Sequence, residues 1–104
     1  MGNFKAVYRI LSALKKAMDL PGFDVQQIWQ EALGATHERW CRYMEMMADV
    51  GYITGVEIRR FITGETSVDA RDIRITLKGL EYLQENGIMR KHYKAAKGIA
   101  DIVP

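Results

Sequence analysis

At 104 residues and 48% hydrophobic side chains, the chain has the length and apolar content of one compact domain with a core of its own. Its one cysteine, Cys41, excludes an internal disulfide, and no apolar run approaches the roughly 20 residues that cross a bilayer. The start lacks the basic residues and apolar stretch of a secretion signal, so a single cytoplasmic domain over 1–104 is expected.

The net charge of +2 is too small to mark a nucleic-acid binder by itself, so its distribution carries the argument. Residues 1–19 hold Lys5, Arg9, Lys15 and Lys16 against Asp19, a net of +3. Residues 88–104 hold Arg90, Lys91, Lys94 and Lys97 against Asp101, again +3. Between them, 20–51 has Arg39 and Arg42 against Asp24, Glu31, Glu38, Glu45 and Asp49, a net of −3. The two ends are basic and the middle is not.

The first predicted helix starts with Asn3 as N-cap and runs to about Asp19. Its inward face is Phe4, Val7, Leu11, Leu14 and Met18, widened by Tyr8 and Ile10. Pro21-Gly22 breaks it. Asp24 followed by Gln27 is a capping-box pattern for a second helix, with Val25, Ile28, Trp29, Ala32 and Leu33 as its buried stripe and Gly34 as its stop. A third helix opens at Thr36 after the two-residue turn Gly34-Ala35, the spacing of a helix–turn–helix. It turns Trp40, Cys41, Met44, Met47 and Ala48 inward and Glu38, Arg39, Arg42, Glu45, Met46 and Asp49 outward, and Gly51 ends it.

Residues 52–62 read as a first strand and 63–72 as a long polar loop. Ile73, Ile75 and Leu77 alternate with polar residues as a second strand runs into a helix capped by Thr76 and stopped by Asn86-Gly87, with Leu80 and Leu83 on its apolar side. Residues 88–102 form a last helix with two adjacent apolar stripes, one through Met89, Tyr93, Ala96 and Ala100, the other through Ile88, His92, Ala95 and Ile99. One domain rarely covers both, so Ile88, Met89, Tyr93, Ala96, Ile99 and Ala100 are a candidate homodimer interface. The predicted class is mainly α with a small antiparallel sheet, and the order helix, helix, helix, strand, strand, helix is that of the winged helix. The predicted core holds Leu11, Ile28, Trp29, Trp40, Met44, Met47, Ile75, Leu80 and Leu83.

Gly51-Tyr52-Ile53-Thr54-Gly55-Val56, then Leu77-Lys78-Gly79-Leu80-Glu81-Tyr82-Leu83, Glu85-Asn86-Gly87 and Tyr93-Lys94 carry a resemblance. In these residues the chain resembles the YjcQ-like winged-helix proteins of Gram-positive bacteria and their phages, well over 50–103 and more loosely over 1–49. The Leu-Thr-x-Lys-Gly-x-x-Tyr-Leu type of motif also recurs in the multiple-antibiotic-resistance and PadR-like repressors, with Ile75-Thr76-Leu77 here in place of Leu-Thr-x. The resemblance implies a winged-helix fold and points toward DNA.

The candidate DNA-contacting residues are His37, Arg39 and Arg42 on the third helix and Arg59, Arg60, Arg71 and Arg74 around the loop, the two elements that meet a duplex in this fold. Against them stand Glu38, Glu45 and Asp49 on the same helix face, and Glu57, Glu65, Asp69 and Asp72 near the loop, which suit salt bridges within the chain. His37 and Cys41 are four apart on one helix, but no further ligands follow at metal-site spacing, so a packed thiol beside Trp40 is expected and no metal. No Ser-His-Asp set, carboxylate pair or Gly-rich phosphate loop is present, so neither an enzyme nor a cofactor is expected. The leading expectation is a small DNA-binding or transcription-regulatory protein. Its rival is a protein-interaction module on the same scaffold without DNA binding.

Overall fold

The computed structural model describes residues 2–22 and 24–87. The predicted helix over 88–102 and its candidate interface lie outside the described residues. The first helix, α1, spans Asn3–Ala17 with Gly2, not Asn3, at its N-cap. Asn3 Oδ1 instead accepts a 2.8 Å bond from the Tyr43 hydroxyl, tying the start of α1 to a later helix. The buried strip is Ala6, Ile10, Leu11 and Leu14, whereas Phe4 is 82% and Met18 60% exposed. Small Ala6 is inside and large Phe4 outside because burial follows the face that meets residues 25–28 and 74–75, and side-chain size does not choose that face.

The predicted continuous second helix is broken. Val25–Ile28 is a 3₁₀ turn, Trp29 is extended with ψ 158°, and α2 covers only Gln30–Leu33. Asp24 does cap the 3₁₀ turn, accepting from the Gln26 N–H at 3.0 Å. The break sets the Trp29 ring 4.7 Å, centroid to centroid, from that of Trp40, tilted by 51°. Trp40 is fully buried, and its Nε1–H donates to the Ile28 carbonyl at 2.7 Å. Gly34, at φ 65°, ends α2 in the left-handed conformation that glycine tolerates.

The third helix, α3, spans His37–Asp49, and Thr36 caps it through a 3.2 Å bond from the Arg39 N–H to Oγ1. It buries Trp40, Cys41, Met44 and Met47 as predicted, with Tyr43 added. Tyr43 is buried because Asn3 receives its hydroxyl.

The predicted strand over 52–62 and the loop over 63–72 both need correction. Strand β1 is Ile53–Thr54, β2 is Glu57–Arg60, β3 is Thr66–Asp69 and β4 is Arg74–Ile75. β1 pairs antiparallel with β4 (Ile53 opposite Ile75), and β2 pairs with β3 (Glu57 opposite Asp69, Arg60 opposite Thr66). The four pieces make one long hairpin. At its middle Gly55 and Val56 stand opposite Ala70, Arg71, Asp72 and Ile73, so one arm bulges. Gly55, at φ 82°, lets the bulge in: a Cβ there would lie 1.9 Å from the Asp72 carbonyl oxygen. The turn is 61–65, closed by a 2.9 Å bond from the Phe61 N–H to the Glu65 carbonyl.

A final helix, α4, occupies residues 77–87. Thr76 caps it as predicted, taking the Gly79 N–H on Oγ1 at 3.1 Å and donating its hydroxyl to the Gly51 carbonyl. Leu77 leaves the strand alternation and stands 73% exposed at the helix start. Of the predicted core, Leu11, Ile28, Trp40, Met44, Met47 and Leu83 are buried, Trp29 and Ile75 pack against it half-buried, and Leu80 is half-exposed. Ile53, Ala70 and Ile73 complete it from the hairpin. The result is mainly helical with a small set of antiparallel strands. Among the described residues no helix is long and apolar enough to cross a membrane.

Candidate functional site: the cleft between α3 and the hairpin

The outer end of the hairpin folds toward α3. Arg60 on β2 forms a hydrogen-bonded ion pair with Glu45 on α3. His37, the first residue of α3, lies 3.0 Å from the Thr66 carbonyl of β3 through Nε2 and 2.9 Å from Gln30 Oε1 through Nδ1. The imidazole thus joins the α2 and β3 sides of the site through both ring nitrogens. Cys41 Sγ sits 3.5 Å from His37 Nε2 and 3.8 Å from the same Thr66 carbonyl.

These contacts frame a cleft of about 690 Å³. One wall is His37, Glu38, Cys41, Arg42 and Glu45 from α3; the other is Phe61 and residues 63–67 of the hairpin turn and β3. Glu38, Glu45 and Glu65 thus face it against Arg42, with Arg60 engaged on Glu45. The local charges act on each other. The Arg60 hydrogen bond, more than the Arg60 and Arg42 charges, holds Glu45 below the usual carboxylate range. Burial, reinforced by Glu38 and Glu45, pushes the Cys41 thiol up and keeps it a thiol. Phe61, on the hairpin wall, is 52% exposed, and the neighbouring Ile62 is fully exposed.

Of the seven predicted arginine and histidine positions, three meet at the cleft. His37 and Arg42 line the cleft, and Arg60 reaches it through Glu45. Arg59 pairs with Glu57 at 3.5 Å. Arg71 makes a two-pronged contact with Asp69 at 2.7–3.2 Å, which holds Asp69 down to about 2. Arg39 lies by the α2–α3 turn, beside Leu33, Thr36 and Tyr43, and Arg74 is exposed on β4. Among the described residues Arg39, Arg42 and Arg74 have no ion-pair partner. The sequence reading missed the apolar pair Phe61-Ile62 as a surface feature, because two β-formers at the end of a strand pattern read as sheet.

The sequence model of the YjcQ protein family matches residues 8–102. The chain belongs to the YjcQ protein family. No curated protein and no solved structure matches it. Two glycines among the residues that carry the family resemblance stand at close approaches in this member. Gly55 admits the hairpin bulge, and Gly79 lets α4 start directly against the Tyr52 carbonyl, 2.4 Å from where a Cβ would be.

Proposed function

We propose that this member of the YjcQ family is a non-enzymatic winged-helix domain, working in the cytoplasm as a protein-interaction module. Its α3–hairpin cleft takes a positively charged segment with an apolar anchor. The order α1, α2, α3, hairpin, α4 supports the scaffold. The observation that carries the function is the lining of the cleft: three acidic residues, Glu38, Glu45 and Glu65, together with the half-exposed ring of Phe61. A phosphate there meets like charge, whereas a Lys or Arg meets acceptors for charge-assisted hydrogen bonds and an aromatic anchor. Fluorescence anisotropy with a short labelled peptide of alternating lysines and leucines tests it. Binding is expected to this peptide and not to its glutamate counterpart, and Glu38→Gln with Glu65→Gln should weaken it about tenfold, or roughly 1.4 kcal/mol. Equal binding of the two peptides, or none, defeats the proposal.

A second reading, transcriptional regulation through double-stranded DNA, draws on Arg39, Arg42 and Arg74, which have no carboxylate partner among the described residues. The exposed pair of Arg59 with Glu57, a single 3.5 Å contact, is also weak enough for phosphate to displace the carboxylate. The same instrument decides it with random duplex at low salt. Three phosphate contacts give a log–log salt slope of about −3, which Arg39→Ala and Arg42→Ala would flatten. Absence of any duplex binding removes this reading.

A further inference from the structure

Two features of the molecule have complementary chemistry. The cleft between α3 and the hairpin presents Glu38, Glu45 and Glu65, with Asp49 one turn further along α3 and only Arg42 and Arg60 in opposition. Residues 88–104 carry Arg90, Lys91, Lys94 and Lys97 against Asp101 and interleave them with Met89, Tyr93, Ala96 and Ala100 at helical spacing. The other basic stretch, 1–19, is not available for docking, because α1 spends its apolar strip of Ala6, Ile10, Leu11 and Leu14 on its own core. We infer that the occupant of the cleft is residues 88–104 of a second copy of this chain, each copy lodging its tail in the cleft of the other. This rests on the reading of the cleft as a dock for a basic segment.

Position argues for a second copy. The described chain ends against α1: a methyl group added at Gly87 would lie 3.4 Å from the Tyr8 hydroxyl. α1 in turn meets α3 through the bond from Tyr43 to Asn3. At 100° per residue, Tyr43 and the Glu38–Glu45 edge are about half a turn apart on α3. The tail therefore starts on the far side of α3 from the cleft. A straight helix of the tail's length spans about 25 Å and does not bend back around α3. A partner copy can receive it there. Because the same tail and the same cleft serve on both copies, one two-fold arrangement satisfies both contacts and closes without leaving a tail free.

Sedimentation of the full chain at high micromolar concentration tests the exchange by charge reversal. The wild type should sediment as a dimer that dissociates as salt rises. Glu38→Lys with Glu65→Lys reverses the cleft, and Lys91→Glu with Lys94→Glu reverses the tail. Each of these variants alone should be at least tenfold weaker in self-association. An equal mixture of the two should regain the dimer, since the basic tail of the cleft variant meets the acidic cleft of the tail variant, and the acidic tail of the tail variant meets the basic cleft of the other. Unchanged circular dichroism confirms that both variants fold. A dimer that survives both reversals, or a mixture that stays monomeric, overturns the inference. A monomeric wild type that still binds the lysine–leucine peptide overturns it too while leaving the cleft reading standing. A monomer that also refuses the peptide ends both.

Discussion

Gly79→Ala is the sharpest test of how α4 is set against the hairpin. Gly79 has an ordinary negative φ, so alanine is acceptable to the backbone, and at most about 1 kcal/mol of helix propensity is gained. The obstacle is space. The new methyl group would sit 2.4 Å from the Tyr52 carbonyl oxygen and 2.7 Å from Ile75 Cγ1, where ordinary contact needs a further ångström or so. The oxygen is not free to retreat, because it accepts the Thr76 N–H at 3.0 Å, and Thr76 is also the cap of α4. Overpacking costs about 1–3 kcal/mol, and the strained Thr76–Tyr52 bond adds about 1 kcal/mol. Less the propensity gain, a net loss of about 1–3 kcal/mol is expected, or roughly 5–15 °C in Tm for a domain of this size. Urea unfolding followed by tryptophan fluorescence measures it, with exposed Lys78→Ala as a control expected within about 0.5 kcal/mol of wild type. A Gly79→Ala protein as stable as the wild type, or more so, would show that α4 does not start against Tyr52.

Leu83 is buried, so Leu83→Ala should cost about 2–5 kcal/mol in the same assay, and a loss under 1 kcal/mol would place α4 off the core. Trp40→Phe leaves the buried Ile28 carbonyl without its donor and should cost about 2–3 kcal/mol, more than loss of apolar area alone explains. Asp69, held at about 2 chiefly by its hydrogen bonds from Arg71, has a lowered folded pKa. Its stabilising contribution is therefore complete above the ordinary value near 3.8 and lost as pH falls toward 2. A carboxyl NMR titration should show this midpoint, and Arg71→Ala, which keeps the backbone N–H bond at that position, should raise it toward the usual range; an unshifted Asp69 in the wild type would mean that the pair does not form in solution. The raised thiol pKa and burial of Cys41 predict alkylation by iodoacetamide much slower than for a free thiol until the chain unfolds, so rapid labelling of the native protein would mean that the hairpin does not cover it.

Local signals in the sequence settled much of the fold. Thr36 and Thr76 as caps, Gly34 as a left-handed stop and the inward set of α3 all depend on residues within about a turn of one another. A hydroxyl three residues ahead of an N–H finds it whatever the rest of the chain does. Where the partner is distant, the sequence was silent. The residues Thr66–Asp69 read as loop because Ser67 and Asp69 dilute the strand preference of Thr66 and Val68, and they are a strand because β2 supplies their ladder. The break at Trp29 follows from the seat of its ring on Trp40, eleven residues on. Phe4 is outside and Ala6 inside because of what α1 meets, which its own periodicity cannot state. The same division runs through the candidate site. Sequence alone supplied the arginines and carboxylates and the opposite signs of the middle and the tail. Only the tertiary structure joined Arg60 to Glu45 and brought Thr66 to His37 across twenty-nine positions. Contacts at such separation have no signature in local spacing, because they form only once the hairpin has folded back on α3.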